Sequence, residues 1–315
     1  MRILITGGAG FVGSNLVRHL VAAGSYDIAV LDNLSSVPNA QVPRDVEFVK
    51  GDFTDPDTLA RCLRGADAVI HLAAQTGVID SIANPELTFD LNVAGSFRLL
   101  ELARKQGVGR VVSASTGGAL LGERTPPIDE TMAPEPMSPY GASKMAVEGF
   151  CSAYAASFGL ACASLRFSNI YGPRSAHKKS VVAAFIKGIL RGEPLVVYGD
   201  GTQRRDYLFV GDLVRNIQRA IDQGVAGTYQ LGSGRPTSLL DLMASLERLA
   251  GRKLDVRFEP ARKGEVHSTW CSIDKAAGDF GYSAPTALDA GLRETWDWFV
   301  ENQPVWSKTK VTSED

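Results

Sequence analysis

No stretch of this sequence reaches the roughly 18 consecutive apolar residues that a membrane-spanning helix requires, so no transmembrane segment is expected. The N-terminus enters a strand-like run at once, Arg2-Ile3-Leu4-Ile5-Thr6, which leaves no room for a secretory leader. An excess of one charge is also missing. The net formal charge is −2 and no long basic block occurs, which argues against nucleic acid and anionic membranes as partners. Cysteine is sparse: Cys62, Cys151, Cys162 and Cys271 are scattered without a Cys-x-x-Cys pair. They read as reduced, buried thiols of a cytoplasmic protein and not as bridges or metal ligands. The four histidines are equally dispersed and form no His-Glu-x-x-His, so no metal is expected. A Gly-x-Ser-x-Gly elbow is absent, which removes the α/β-hydrolase reading.

What the chain does have is alternation. Its 315 residues exceed what one core fills, so a large domain with a smaller companion is expected. Short apolar runs at 3–6, 28–31, 46–50, 68–71, 111–113 and 161–167 read as strands. Between them, helical patterns fall at 11–23, stopped by Gly24, and at 54–64, capped by Thr54 or Asp55. Two longer helices are expected at 85–105, with Phe89, Val93, Phe97 and Leu100 along one face, and at 140–158. Strands alternating with helices predict an α/β fold with a doubly wound parallel sheet. Beyond about 166 the pattern loosens into helices near 180–191, 212–222, 238–250 and 288–301 and a strand at 195–198. The expected division is therefore 1–165, with a returning segment near 209–235, and a smaller mixed α/β domain over 166–315. The tail from about 307 is polar and expected to fray.

The segment ITGGAGFVGSNL leaves the first strand and opens the first helix, and Gly8-Ala9-Gly10-Phe11-Val12-Gly13 satisfies Gly-x-Gly-x-x-Gly. Glycine permits the tight turn and lets the backbone approach a pyrophosphate, which then rests on amides at the positive end of the helix. Gly7, Gly10, Phe11, Val12 and Gly13 are accordingly candidate dinucleotide residues. Asp32 closes the second strand about 20 residues on, where a carboxylate accepts from ribose hydroxyls and repels a 2′-phosphate, which favours NAD over NADP. Asn33 and the pair Asp52-Phe53 border the expected adenine side, and Leu72, Ala73 and Ala74 are small or apolar where backbone must pass close to the cofactor. His71 reads as a packed core histidine.

A second motif is SPYGASK at 138–144, which sets Tyr140 one helical turn before Lys144. With the segments TGGAGFVG (6–13), HLAA (71–74), Asn92, SAST (113–116), YGASK (140–144), NIYGP (169–173) and GDGTQRRDYLFVGDL (199–213), the chain resembles the extended short-chain dehydrogenase/reductase family, in particular its nucleotide-sugar epimerases and dehydratases. The resemblance spans most of the chain in the family's order. It implies a Rossmann-type sheet carrying NAD, a C-terminal domain for a nucleoside-diphosphate sugar, and a homodimer through the helices near 85–105 and 140–158. It makes Tyr140 the base, with Lys144 and the positive nicotinamide favouring the phenolate. Lys144 would also hold the nicotinamide ribose. The hydroxyl partner is Thr116, with Ser115 as the alternative, and Asn92 joins the cofactor residues.

The 4,6-dehydratases of the family carry Asp-Glu directly after the threonine, because elimination needs an acid and a base beyond the tyrosine. Here Gly117-Gly118 follow, which favours epimerisation. On the substrate side the resemblance assigns Arg205 and Arg262 to the diphosphate and Asn169 to phosphate or sugar. Glu265 would hold the uridine ribose, and Tyr198 and Val182 would lie beside the base. Thr269 stands where a small residue leaves room for a 2-N-acetyl group. The loop RSAHKKSVV (174–182), with His177, Lys178 and Lys179, reads as a solvated basic loop. The expected activity is that of a UDP-glucose/UDP-galactose 4-epimerase, with UDP-N-acetylhexosamines as further substrates. The alternatives are another sugar-nucleotide modification (dehydration, decarboxylation or epimerisation at another carbon) or a silent NAD-binding scaffold.

Overall fold

Ile3, Leu4, Ile5, Val69, Ile70, Val111 and Val112 are all buried, so the strands that carry them are apolar on both faces and must be covered on both. The computed structural model describes residues 1–38, 40, 42–261 and 267–306, and the polar tail from 307 lies outside them. Its first strands are β1 (Arg2–Thr6), β2 (Asp27–Asp32), β3 (Glu47–Lys50), β4 (Ala68–His71), β5 (Arg110–Thr116) and β6 (Ala161–Phe167). These are followed by β7 (Asn169–Tyr171), β8 (Leu195–Tyr198), β9 (Arg204–Phe209), β10 (Gly227–Leu231), β11 (Pro236–Ser238), β12 (Val256–Glu259) and β13 (Ser268–Thr269). Seven of them form one parallel sheet in the order β10-β6-β5-β4-β1-β2-β3. The order reverses beside β1, which is the doubly wound Rossmann-type arrangement, and ligands bind such sheets at that switch point.

Alternate residues face opposite layers. Ile3, Ile5, Val30, Ile70 and Val112 pack with Leu16, Val17 and Leu20 of the helix Phe11–Ala23 and with Leu213 and Ile217 of the helix Val210–Gln223. Leu4, Leu31, Val69 and Val111 pack with Leu59, Leu99, Leu100, Val147 and Cys151, from helices on the other side. The returning segment thus supplies both a covering helix and the edge strand β10. The loosely patterned C-terminal part folds into β11-β9-β13 with β7 also on β9, and a small β12-β8 pair. Most of these strands have three to six residues and polar sequences such as Arg204–Phe209, so alternation alone does not announce them.

The expected single helix over 85–105 is instead a short turn Pro85–Thr88, a π-helical stretch Phe89–Gly95 and an α-helix Ser96–Lys105. A π stretch inserts an extra residue and rotates the faces on either side. Phe89 and Phe97 are therefore exposed while Leu100 is buried, which corrects the expectation of one continuous apolar face.

The two sheets are tied together at Asp206 of β9, a buried carboxylate. It accepts from Ser233 N (2.6 Å), Ser233 Oγ (2.7 Å), Gly234 N (3.1 Å) and Cys271 N (3.4 Å). One carboxylate thereby holds the turn after β10 and the segment after β13 together. Asp206→Asn replaces an acceptor with an N–H group facing other donors. It is expected to lower unfolding stability by about 2 kcal/mol, read as a lower midpoint in urea denaturation at an unchanged slope.

Candidate active site

Two cavities of about 610 and 620 Å³ meet at the C-terminal ends of the parallel strands and share Phe11, Val12, Thr76, Lys178 and Ser180. The second is the dinucleotide side. Gly7 has φ +70°, and a Cβ there would lie 2.6 Å from Ala73 N. A Cβ on Gly13 would lie 2.2 Å from the Gly7 carbonyl oxygen. Only glycine lets this turn close, and no side chain caps the helix Phe11–Ala23 that it opens. Its amides are thus left for an anion. Gly7, Gly10, Phe11, Val12 and Gly13 line the cavity with Asp32, Asn33, Phe53, Leu72, Ala73 and Ala74. Asp32 is fixed by Ala9 N (2.9 Å) and Leu34 N (2.8 Å). An elongated glycine cradle with an acid at its far end fits NAD.

Two expected cofactor residues stand behind this wall. Asp52 is held by Thr54 N (2.8 Å) and Thr54 Oγ1 (2.7 Å) and accepts from Asn33 Nδ2 (3.0 Å), so it positions Asn33. Asn92 lies in the π-helical stretch and is buried. It accepts from Gln75 N (2.9 Å) and donates to Gln75 O and Ser143 Oγ (both 3.0 Å). Its carboxamide is fully engaged there and locks the loop after β4 to the helix bearing Tyr140. His71 is a core histidine, bonded to Thr6 Oγ1 (2.7 Å) and Ser96 Oγ (2.9 Å). Burial, then Lys144, pushes its pKa down to about 3.

Tyr140 and Lys144 sit in the first turns of the helix Pro139–Phe158. Ser138 caps it by accepting from Gly141 N (3.2 Å), and Pro139 suits its first position. Gly141 packs against the loop after β5 so closely that a Cβ would lie 2.0 Å from the Ala119 carbonyl oxygen. That approach brings Thr116, at the end of β5, to the same cavity wall as Tyr140, close enough to influence its phenol. Lys144 is buried. Its Nζ donates to Ala114 O (2.9 Å) and lies 5.9 Å from the Tyr140 ring centre.

Burial pushes the Tyr140 phenol up to about 12, against the opposing pull of the Thr116 hydrogen bond. Burial also pushes Lys144 down to about 8, although Cys151 and Glu148 draw it upward. The chain alone therefore makes Tyr140 a weaker acid than free tyrosine, because desolvation outweighs the pull of Thr116. Ser115 also lines the first cavity, and its hydroxyl donates to Glu148 Oε1 (2.6 Å). Glu148 in turn is paired twice with buried Arg166 (2.9 and 2.8 Å). The proton of Ser115 is engaged by Glu148, whereas Thr116 is the hydroxyl that influences the phenol.

The first cavity is walled by Thr116, Tyr140, Asn169, Val182, Arg205 and Thr269, among others. Arg205 Nη1 is anchored on Arg204 O and His267 O (both 3.0 Å). Tyr198 is not a wall of this cavity; its carbonyl accepts from Gln203 Nε2 (2.9 Å) at the end of β8. Arg262 and Glu265 lie outside the described residues. Residues the sequence did not single out are Thr76 and Gln230. Lys178, on the loop expected to be solvated, lines both cavities. The unusual density of cations in 177–179 was the available signal. Among the described residues no three His, Cys, Asp or Glu side chains gather as a metal-binding group.

Comparison with known proteins agrees with this geometry. Residues 3–232 match the model of the NAD dependent epimerase/dehydratase family. The UDP-glucose 4-epimerase of Mycolicibacterium smegmatis is 36% identical over 311 residues, covering 95% of this chain and 98% of that protein. The Thermotoga maritima UDP-glucose 4-epimerase, solved with UDP-glucose, superposes with a TM-score of 0.91 at 35% identity over 96% of this chain and 100% of the other. The Thermus thermophilus UDP-glucose 4-epimerase, solved with NAD, superposes at 0.88 with 37% identity over 95% and 99%.

The Gly141–Ala119 approach gives a direct check. Gly141→Ala must push the helix off the loop and separate Tyr140 from Thr116. Misplacement of about 1 Å lowers turnover by about 100-fold. A steady-state assay is expected to show that loss in kcat with NAD content unchanged.

Proposed function

The chain belongs to the NAD dependent epimerase/dehydratase family and is an NAD-dependent nucleotide-sugar epimerase, and from that premise we propose that it interconverts UDP-glucose and UDP-galactose at C4. The observation that carries the reading is the convergence of Thr116 and Tyr140 on the wall of the first cavity, with Lys144 buried behind the phenol and two glycines following the threonine. When bound, NAD supplies a hydride acceptor and donor and a positive ring. Tyr140 would take the proton from the O4 hydroxyl as the carbon is oxidised to a ketone, and return it once the sugar has turned over. Thr116, on the same cavity wall as Tyr140, would orient that hydroxyl. Lys144, anchored on Ala114 O, would hold ribose hydroxyls and keep a cation beside the phenol. One base serves both directions, as epimerisation requires.

The same geometry speaks against dehydration. A side chain at position 117 would start 2.6 Å from Gln230 Oε1, and Gln230 is only 1% exposed. The acid of an elimination pair has no room there unless Gln230 moves. Thr269 is the nearest atom to a Cβ on Gly118 at 3.9 Å, so that side of the cavity is open and supports tolerance of a 2-N-acetyl group. We read residues 1–165 with 209–235 as the NAD half and the rest as the sugar-nucleotide half. Asn169, Arg205 and Val182 would contact the substrate. The described thiols are free and buried, which suits a reducing cytoplasm.

We also propose a homodimer through the helices near 85–105 and 140–158. Phe89 (58% exposed), Phe97, Met145 and Phe158 (54%) leave apolar surface there, and Ile79 (74%) and Ile82 extend it. Patches of this kind mark interfaces.

Three experiments check these readings. Incubation with UDP-galactose is expected to yield UDP-glucose, and UDP-N-acetylgalactosamine its gluco epimer. Tyr140→Phe is expected to lower kcat by about 10²–10⁴ while keeping NAD. A 4-keto-6-deoxy product would contradict the epimerase reading. Phe89→Glu combined with Phe97→Glu is expected to convert a dimer to a monomer in light scattering.

A further inference from the structure

The basic loop 174–180 is built into the joint between the cavities. Its start is pinned to the NAD half: Asn15 Nδ2 donates to Pro173 O (3.0 Å) and Arg174 Nη1 to Asn15 Oδ1 (3.3 Å). Its end is pinned to the helix Val181–Arg191, where Lys187 Nζ donates to Ala176 O (2.8 Å) and Lys178 O (3.1 Å). Ser175 closes the turn by donating to Gly172 O (2.7 Å) and accepting through its own carbonyl from Lys178 N (2.9 Å). A loop fixed at both ends holds its side chains in place.

Lys178 is the residue it holds at the joint. It lines both cavities, as do Phe11 and Val12, which open the uncapped helix over the glycine turn. Its Nζ donates to Thr76 Oγ1 at 3.4 Å. Burial pulls its pKa down, and no carboxylate is among the influences on it. A partly desolvated ammonium with only a hydroxyl for company is short of an anion. The amides of the helix start and this ammonium border one space from different halves of the molecule.

We propose that Lys178 clasps the NAD pyrophosphate from the sugar-nucleotide half, opposite the glycine turn. NAD is then gripped by both halves at once, and the loop joins its retention to the helix Val181–Arg191, whose Val182 lines the substrate cavity. The inference rests on NAD binding and not on which sugar is turned over.

The test measures binding and not turnover. Lys178→Met preserves the length of the side chain and removes the charge. NAD⁺ carried through purification is expected to fall. The dissociation constants of NAD⁺ and of ADP-ribose, which shares the pyrophosphate, are both expected to rise at least about tenfold, equivalent to about 1.4 kcal/mol. That of UDP should stay within about twofold, and Lys178→Arg should restore part of the loss. The wild type should lose NAD⁺ affinity with added salt more steeply than Lys178→Met. An unchanged melting temperature of the ligand-free variant excludes misfolding as the cause. Three results would overturn the proposal: unchanged NAD⁺ and ADP-ribose binding, weakened UDP binding with NAD⁺ unaffected, or an equal loss in Lys179→Met.

Discussion

Desolvation is the constraint on which this site depends. The wall that carries Tyr140 and Lys144 disfavours the charged form of each, so the phenol rises to about 12 and the ammonium falls to about 8. The result is a pair that is poor at base chemistry by itself. It is also a setting in which any added cation acts at low dielectric, where its influence is large. The family's cofactor is such a cation when oxidised. A base that became competent only with the oxidant in place would not deprotonate sugar hydroxyls unproductively.

The rest of the fold keeps these groups in register. Gly141 against Ala119 sets the distance between phenol and threonine. Asn92, through Ser143, ties the Tyr140 helix to the loop after β4, and Ser143 Oγ in turn donates to Tyr140 O (2.7 Å). Beneath them the buried Glu148–Arg166 pair takes the Ser115 hydroxyl. A buried ion pair contributes little net stability, but removing one partner is strongly destabilising. Its value here is positional, since it fixes β5, β6 and the Tyr140 helix to one another.

The Rossmann half was legible because its signals are local. β4, β6 and the helix Phe11–Ala23 fall where apolar runs and glycine stops place them. The glycine turn, Asp32 and the Tyr140–Lys144 spacing are likewise short-range patterns. What escaped is set by tertiary structure. The π stretch at Phe89–Gly95 alters which residues face out, and a periodicity of 3.6 cannot reveal an inserted residue. β10 joins the sheet across a long separation, which carries Gln230 to Gly117 and Glu130, contacts with no sequence signature. The burial that pushes the Tyr140 phenol up is a sum over neighbours that no spacing encodes. Lys178 was visible as a cation, but its place between the cavities depends on how Asn15 and Lys187 pin its loop.

The most direct test of this account is the ionisation of Tyr140 itself, followed by ultraviolet difference titration of the wild type against Tyr140→Phe, with and without saturating NAD⁺. The account predicts that the ligand-free phenol stays protonated past the ordinary tyrosine value of about 10, and that NAD⁺ brings its titration toward neutrality. A ligand-free phenol that already ionises near neutral pH, or one whose titration NAD⁺ leaves unmoved, would contradict it.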